Sequence, residues 1–234
     1  MDHAAWRSMR DETVWGRDGL ASLVATEWLD TTPRALEAAP GLWHADGGSA
    51  IGVVDGERVS LPVGDELRTG DLLLRAITRD GMTALRVWSP DGAAHRGIST
   101  IVRFPEDPDA RVRGTFLRET SPETIDRVAV DGHHSPGTFP ASVSFAWEGT
   151  TVRLAVEDRD GELFAAFSDA TSGAESHRFR HLRMPAPDAD GAVEVDLNRA
   201  TLPPCAFSDH YLCMLPPPGN RLTVGIRAGE ARVE

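Results

Sequence analysis

The feature that most constrains this chain is an Asp-Gly pair that recurs between short apolar stretches. Asp55-Gly56, Asp80-Gly81 and Asp160-Gly161 each separate two runs that read as short strands. Asp-Gly favours the two-residue turn in which both central residues need positive φ, and this turn joins neighbouring antiparallel strands. Three β-hairpins are therefore predicted, and an antiparallel sheet with them.

From about residue 42 onward the chain reads as a succession of such strands. The predicted strands are Ala50–Val54, Arg58–Leu61, Leu72–Ile77, Thr83–Trp88, Ser99–Phe104, Val112–Leu117, Arg127–Val130, Ser142–Trp147, Thr151–Glu157, Leu163–Phe167, Ala192–Val195 and Leu222–Arg227. No helical pattern separates them, which excludes Rossmann and TIM architectures. The expected fold class is mainly β, an antiparallel β-barrel or β-sandwich with N-terminal helices.

The N-terminal part has a different pattern. Residues 2–30 carry apolar residues at helical spacing, among them Trp6, Met9 and Leu23, with Gly16–Gly19 as the expected break between two helices. Ala39-Pro40-Gly41 ends the helical pattern. We therefore predict an N-terminal helical segment over residues 1–41 and an all-β domain over residues 42–234, packed as one compact unit.

Composition excludes several functions. The net charge of −12 argues against nucleic-acid and anionic-membrane partners, because both need a positive field. All 24 basic residues are arginine. A Schiff-base lysine, a pyridoxal-phosphate anchor, a P-loop and a kinase lysine are all excluded, since each requires the lysine amine.

No stretch resembles a signal peptide, and no apolar run approaches the roughly 18 residues that span a bilayer. The expectation is a soluble protein of a bacterial cytoplasm, where two cysteines are more often thiols than a disulfide. No cofactor is predicted, and the sequence leaves the oligomeric state open.

The C-terminal stretch is the richest in chemically competent residues. It reads DLNRATLPPCAFSDHYLCMLPPPGNRLTVGIRAGE over residues 196–230 and contains both cysteines of the chain. This stretch resembles the signature of the bacterial "domain of unknown function 1684" family, in which Asp-x-Asn and Pro-Pro-Cys-Ala precede a Cys, a proline run and Ala-Gly-Glu. RFPEDPDARVRGTF, SPGTFPASVSFAWEGTTVRL and FSDATSGAES resemble earlier pieces of the same family. The resemblance implies no activity.

Two departures from the family pattern mark this chain as divergent. Thr201-Leu202 stands where the family has Tyr-Asn. His177–Leu182 stands where the family usually has a tyrosine and a glycine run. Loss of those glycines removes a close backbone approach, so we expect a different ligand, or none, at that place.

The sulfur and histidine residues allow several interpretations. Cys205, His210 and Cys213 have the donor types of a zinc site, but a second cysteine pair is missing, and no metal site is predicted. A disulfide between Cys205 and Cys213 and a nucleophilic Cys205 with a histidine base stay open. Buried structural thiols are the leading interpretation.

Polar residues at strand ends are the preferred site candidates, because loops on a rigid β scaffold commonly hold ligand groups. Small-molecule binding in a pocket lined by the C-terminal signature is the favoured function; an acid–base enzyme such as a hydrolase, and a structural or partner-binding role, are the alternatives. The candidate catalytic residues are Asp196, His177 and Glu230, and the candidate ligand-binding residues are Asn198, Arg199, Asp169, Arg180 and Cys205.

Overall fold

The computed structural model describes residues 2–122 and 124–234. The chain forms two compact units. Unit 1 contains the residues up to Ser99 together with Phe207–Tyr211, and unit 2 contains Thr100–Ala206 together with Leu212–Glu234. This division differs from the predicted boundary between residues 41 and 42, because the hairpins up to residue 99 group with the N-terminal residues.

Unit 1 contains one long helix and two four-stranded antiparallel sheets. Its elements are α1 His3–Trp15, β1 Leu23–Trp28, β2 Arg34–Ala35, β3 Leu42–Asp46, β4 Ser49–Val54, β5 Glu57–Pro62, β6 Glu66–Thr69, β7 Leu72–Arg79, β8 Met82–Trp88 and the short α2 Gly92–His95. The sheets have the orders β1-β8-β7-β6 and β2-β3-β4-β5. Their apolar faces form one core around the fully buried Trp43.

The helical prediction for residues 2–30 is right for the first half and wrong for the second. Asp2 caps α1, its carboxylate accepting a hydrogen bond from the Ala5 N–H, and the helix ends at Trp15 before Gly16. Leu23–Trp28 is a strand that pairs antiparallel with β8, from Leu23 opposite Trp88 to Trp28 opposite Ala84. Pairing along β8 overrides the helical spacing of a stretch that contains β-branched residues.

Unit 2 is built on a six-stranded antiparallel sheet. Its elements are β9 Ile101–Arg103, β10 Arg111–Arg118, β11 Thr124–Val128, β12 His134–Thr138, β13 Ala141–Trp147, β14 Thr150–Arg159, β15 Glu162–Phe167, β16 Arg180–Met184, β17 Ala192–Asp196 and β18 Glu230–Val233. The large sheet has the order β16-β15-β14-β13-β10-β17, and β11-β12 and β18-β9 form two small sheets. A separate core lies against the large sheet, with Leu154, Leu182 and Val195 fully buried.

The Asp-Gly hairpins are confirmed. Asp55-Gly56, Asp80-Gly81 and Asp160-Gly161 all have positive φ, between 50° and 83°, as the two-residue turn requires. They connect β4 to β5, β7 to β8 and β14 to β15, with Val54 opposite Glu57 in the first hairpin. The antiparallel, mainly β class is thereby confirmed.

One predicted strand is wrong. Leu222–Arg227 is not a strand; the C-terminal strand is β18 Glu230–Val233, which pairs with β9. Among the described residues, no helix is long and apolar enough to cross a membrane.

Candidate functional site

Asp196, Asn198 and Arg199 form a network of hydrogen bonds and ion pairs at the end of β17. Asp196 and Asn198 are buried, and Arg199 is half-buried. Asp196 Oδ1 accepts hydrogen bonds from the Asn198 backbone N–H at 3.1 Å and from its side-chain amide at 3.2 Å. Asn198 also bonds both backbone groups of Asp107, accepting from its N–H at 2.9 Å and donating to its carbonyl at 2.8 Å. Asp196 Oδ2 pairs with Arg111 and Arg199. The group holds the loop around Asp107 against β17.

Asp169 and Arg180 form an ion pair inside unit 2. Arg180 Nη2 lies 2.6 Å from Asp169 Oδ2, and neither side chain is exposed to solvent. The guanidinium also donates to the carbonyls of Ile226, Ala228 and Glu230, at 2.6, 2.6 and 3.3 Å. Burial lowers the pKa of Arg180, and the charge and hydrogen bond of Asp169 raise it. Arg180 thus anchors the C-terminal segment that leads into β18.

Glu230 is fully buried where β18 begins. Its Oε2 accepts a hydrogen bond from the Leu202 N–H at 2.7 Å, and its Oε1 lies 3.7 Å from Arg103 Nη2. Its own N–H donates to the Ala200 carbonyl at 2.8 Å. Glu230 therefore fixes the chain around residues 200–202 through hydrogen bonds to Ala200 and Leu202.

Gly229 has φ of 78°, and a Cβ there would lie 2.5 Å from the Ala200 carbonyl oxygen. Gly229→Ala is therefore expected to lower the free energy of unfolding of unit 2 by about 2 kcal/mol or more. Gly219→Ala is the matched control, since a Cβ at Gly219 would meet no atom within 4 Å. Amide hydrogen exchange in β9 and β18 measures the change, and equal effects of the two substitutions would rule this explanation out.

The predicted catalytic residues belong to different networks. Asp196 pairs with Arg111 and Arg199, and Glu230 with Leu202 and Arg103. His177 donates its backbone N–H to the Ala231 carbonyl at 2.7 Å, and it is one of the groups that lower the pKa of Cys205. These contacts favour a structural role for Asp196 and Glu230. A catalytic role for Asp196, Glu230 or His177 stays a prediction.

A cavity of about 230 Å³ lies in unit 2 beside the proline-rich part of the C-terminal stretch. We call it the signature pocket. Its lining residues come from five strands or their ends and from the C-terminal loop: Arg127, Phe139, Glu157, Arg159, Phe164, Ala166, His181, Pro204, Leu212, Cys213, Met214, Leu215 and Pro217. A second cavity of about 240 Å³ lies beside it and shares Arg127, Phe139, Leu215 and Pro217 with its lining.

The charged wall of the signature pocket is one carboxylate between two guanidiniums. Glu157 Oε1 lies 2.6 Å from Arg127 Nη1, and Glu157 Oε2 lies 2.8 Å from Arg159 Nη2. Arg159 stacks over the Phe164 ring at 3.6 Å, and Phe164 meets His181 edge to face at 4.8 Å. Two arginines against one glutamate leave one positive charge in excess at this wall.

Both cysteines lie in unit 2, and both are thiols. The Cys205 N–H donates to Cys213 Sγ at 3.3 Å. A hydrogen bond from Cys213 lowers the pKa of the Cys205 thiol to about 5; burial opposes this, while hydrogen bonds with His177 and Arg178 and the charge of His177 support it. Cys213 lines the signature pocket, whereas Cys205 is only 5% exposed.

His210, the middle residue of the zinc-like pattern, belongs to unit 1, where its carbonyl accepts a hydrogen bond from Thr26 Oγ1 at 2.8 Å. Burial lowers the pKa of His210, assisted by Arg96. Over residues 2–122 and 124–234, no three His, Cys, Asp or Glu side chains converge as a metal site would need.

A larger groove of about 600 Å³ runs along β10 and β17, but it is open to solvent, and two of its charged side chains, Arg113 and Asp188, pair with each other. Sequence reasoning missed Arg127, Glu157 and Arg159 as site residues. The sequence does contain a pattern that indicates Glu157 and Arg159. They are two residues apart on one strand, so both side chains point to the same face of the sheet. Arg127 is brought to them by tertiary structure, which no local pattern shows.

The described chain is thus an antiparallel β protein with a small, partly charged pocket in its second unit. It belongs to the family described as "Protein of unknown function (DUF1684)", whose model matches residues 96–231. The predicted family is thereby confirmed, and every residue that lines the signature pocket lies inside the matched range.

The chain was also compared with solved structures and with curated proteins. The chain is similar to an uncharacterised protein of Haloarcula marismortui solved by solution NMR, at 31% identity over 58% of this chain and 78% of that one, with a TM-score of 0.47. No curated protein matches the chain.

Proposed function

We propose that unit 2 binds a small organic anion in the signature pocket. The observation that carries the proposal is the Arg127–Glu157–Arg159 group at the wall of a cavity whose other sides are mostly apolar and aromatic. A pocket of this kind fixes a ligand by a few convergent polar groups and holds its body by apolar contact.

The anionic character follows from the charges. Guanidinium groups are suited to carboxylates and phosphates, because their N–H donors match two oxygens of such a group. One carboxylate cannot saturate two guanidiniums, so donors remain for a ligand at the wall. The volume limits the part of the ligand that enters to about the size of one substituted ring, held between Phe164 and the loop of Leu212–Leu215.

The acid–base enzyme that the sequence also allowed would place a carboxylate beside a histidine at the cavity. Glu157 and His181 both line the signature pocket, but both Glu157 oxygens are taken by guanidiniums, and His181 contacts Phe164. This arrangement supports anion binding better than proton transfer.

Benzoate and benzylammonium, which share a ring and carry opposite charges, test the proposal. Benzoate is expected to bind and benzylammonium is not, as measured by titration calorimetry at low salt. Arg159→Ala is expected to weaken benzoate binding about 10-fold or more, because a charge-assisted hydrogen bond is worth about 1.5–3 kcal/mol. Glu157→Gln is expected to tighten it, because the competing carboxylate charge is removed.

Arg232→Ala is the matched control: Arg232 also pairs with a carboxylate, that of Glu234, but it does not line the pocket. Its benzoate affinity should equal that of the unchanged protein. Equal binding of benzoate and benzylammonium would refute the proposal, and so would equal benzoate affinities of the Arg159→Ala and Glu157→Gln variants. Either result would favour a structural role for the Arg127–Glu157–Arg159 group.

A further inference from the structure

The two thiols at the signature pocket form a pair with one accessible and one buried member. Cys213 is half-buried and lines the cavity, while Cys205 lies behind it among residues that include His177 and Arg178. The Cys205 N–H donates to Cys213 Sγ at 3.3 Å, and Cys213 lowers the pKa of the Cys205 thiol. Two cysteines held in contact in this way, one of them facing a ligand cavity, are placed for thiol–disulfide exchange.

We propose that Cys213 and Cys205 are a dithiol site that reduces small organic disulfides entering the signature pocket. Cys213 is the attacking thiol and Cys205 is the resolving thiol. The proposal does not depend on anion binding, because a neutral disulfide reaches the same sulfur.

The first step forms a mixed disulfide. The Cys213 thiol passes its proton to the Cys205 thiolate, and Cys213 attacks one sulfur of the ligand as a thiolate stabilised by the Cys205 N–H. The ligand's S–S bond breaks, a bond from Cys213 to the ligand sulfur forms, and the first thiolate leaves. It takes the proton from Cys205.

The second step releases the ligand. The Cys205 thiolate attacks Cys213 sulfur, the bond to the ligand breaks, and the second thiolate departs. The protein dithiol is oxidised to a Cys205–Cys213 disulfide, and the ligand is reduced to two thiols. A low-molecular-weight thiol in excess returns the protein to the dithiol by the reverse exchange.

The environment of the pair supports reaction near neutral pH. At pH 7 a thiol with the pKa of about 5 that Cys205 has is ionised, so Cys205 is a thiolate beside Cys213. Cys213, His177 and Arg178 are the groups that favour this ionised form. The initial rate at pH 6 is therefore expected to stay within about 3-fold of the rate at pH 8, whereas a thiol of ordinary pKa, about 8.5, loses about two orders of magnitude.

One equivalent of dithiodipyridine, a neutral disulfide that releases a coloured thiol, tests the site. The unchanged protein is expected to release two coloured thiols per probe and to become lighter by two hydrogens in the mass spectrum. Cys205→Ser should react more slowly than the unchanged protein, because the thiolate that accepts the Cys213 proton is gone, and should stop at a mixed disulfide on Cys213, with one thiol released. Cys213→Ser should react at least about 10-fold more slowly, because Cys205 is buried.

Two substitutions separate this site from ordinary thiol reactivity. His177→Ala is expected to reduce the rate at pH 6 more than at pH 8, since it removes a group that lowers the pKa, while His134→Ala, an exposed histidine paired with Asp126, should change neither. Faster reaction of Cys213→Ser than of Cys205→Ser, or adducts on both cysteines without an intramolecular disulfide, would overturn the proposal. Arg159→Ala should leave the reaction of the neutral probe intact, so failure of anion binding and failure of the dithiol site are distinguishable.

Discussion

Asp169→Ala is expected to lower the free energy of unfolding of unit 2 by about 3–5 kcal/mol, because it leaves a buried guanidinium without its carboxylate. Arg180 and Asp169 are both fully buried and 2.6 Å apart. The carboxylate also accepts two hydrogen bonds from Thr171, from its N–H at 2.7 Å and its hydroxyl at 2.6 Å. Amide hydrogen exchange in β15 and β16 measures the loss.

The matched control is Glu175→Ala, which removes the carboxylate of the exposed pair with Arg227. Little change is expected there, because solvent screens surface pairs. The double variant Asp169→Leu with Arg180→Met should lose less than the sum of the losses of its two single variants, since removing both charges leaves neither of them buried unpaired. A loss in the double variant equal to that sum would contradict this explanation.

Asn220→Ala is the second large effect, at about 3 kcal/mol of lost unfolding free energy in unit 2. The fully buried side chain donates to the Ala155 and Ala166 carbonyls, both at 2.9 Å, and accepts from the Ala155 N–H at 2.7 Å. Alanine would leave three buried or half-buried backbone groups of β14 and β15 without these bonds, and each of them carries a desolvation cost.

The neighbouring Arg221→Ala serves as the control for Asn220→Ala, because Arg221 is exposed. Chemical denaturation and amide exchange of β14 should show the loss for Asn220→Ala and almost none for Arg221→Ala. Comparable losses would mean that the whole segment, rather than the amide of Asn220, supports the two strands.

The hairpins were predictable because their cause is local. Asp55-Gly56 and Asp160-Gly161 take positive φ through their own chemistry, and the strands beside them then pair by proximity. Leu23–Trp28 was not predictable in this way, because its partner β8 begins more than fifty residues later. Pairing with a distant strand leaves no signal in the local spacing.

The site shows the same difference. Asp196 and Asn198 were recognised as polar residues at a strand end, and the structure does place them there, but bonded to Asp107 and Arg111. A sequence shows that a side chain can accept a hydrogen bond, but it does not show which donor the fold brings into contact with that side chain. Arg127 reaches Glu157 only through the fold, so the charged wall of the signature pocket could not be predicted from either stretch alone.

The most direct test of the central claim is to map benzoate binding by NMR on the arginine side-chain N–H groups of the full chain. Binding in the signature pocket predicts that the largest shifts fall on Arg127 and Arg159, with Arg111 and Arg199 unchanged. Shifts confined to Arg111 and Arg199 would place the ligand at the end of β17 instead, and would contradict the assignment of the signature pocket as the site.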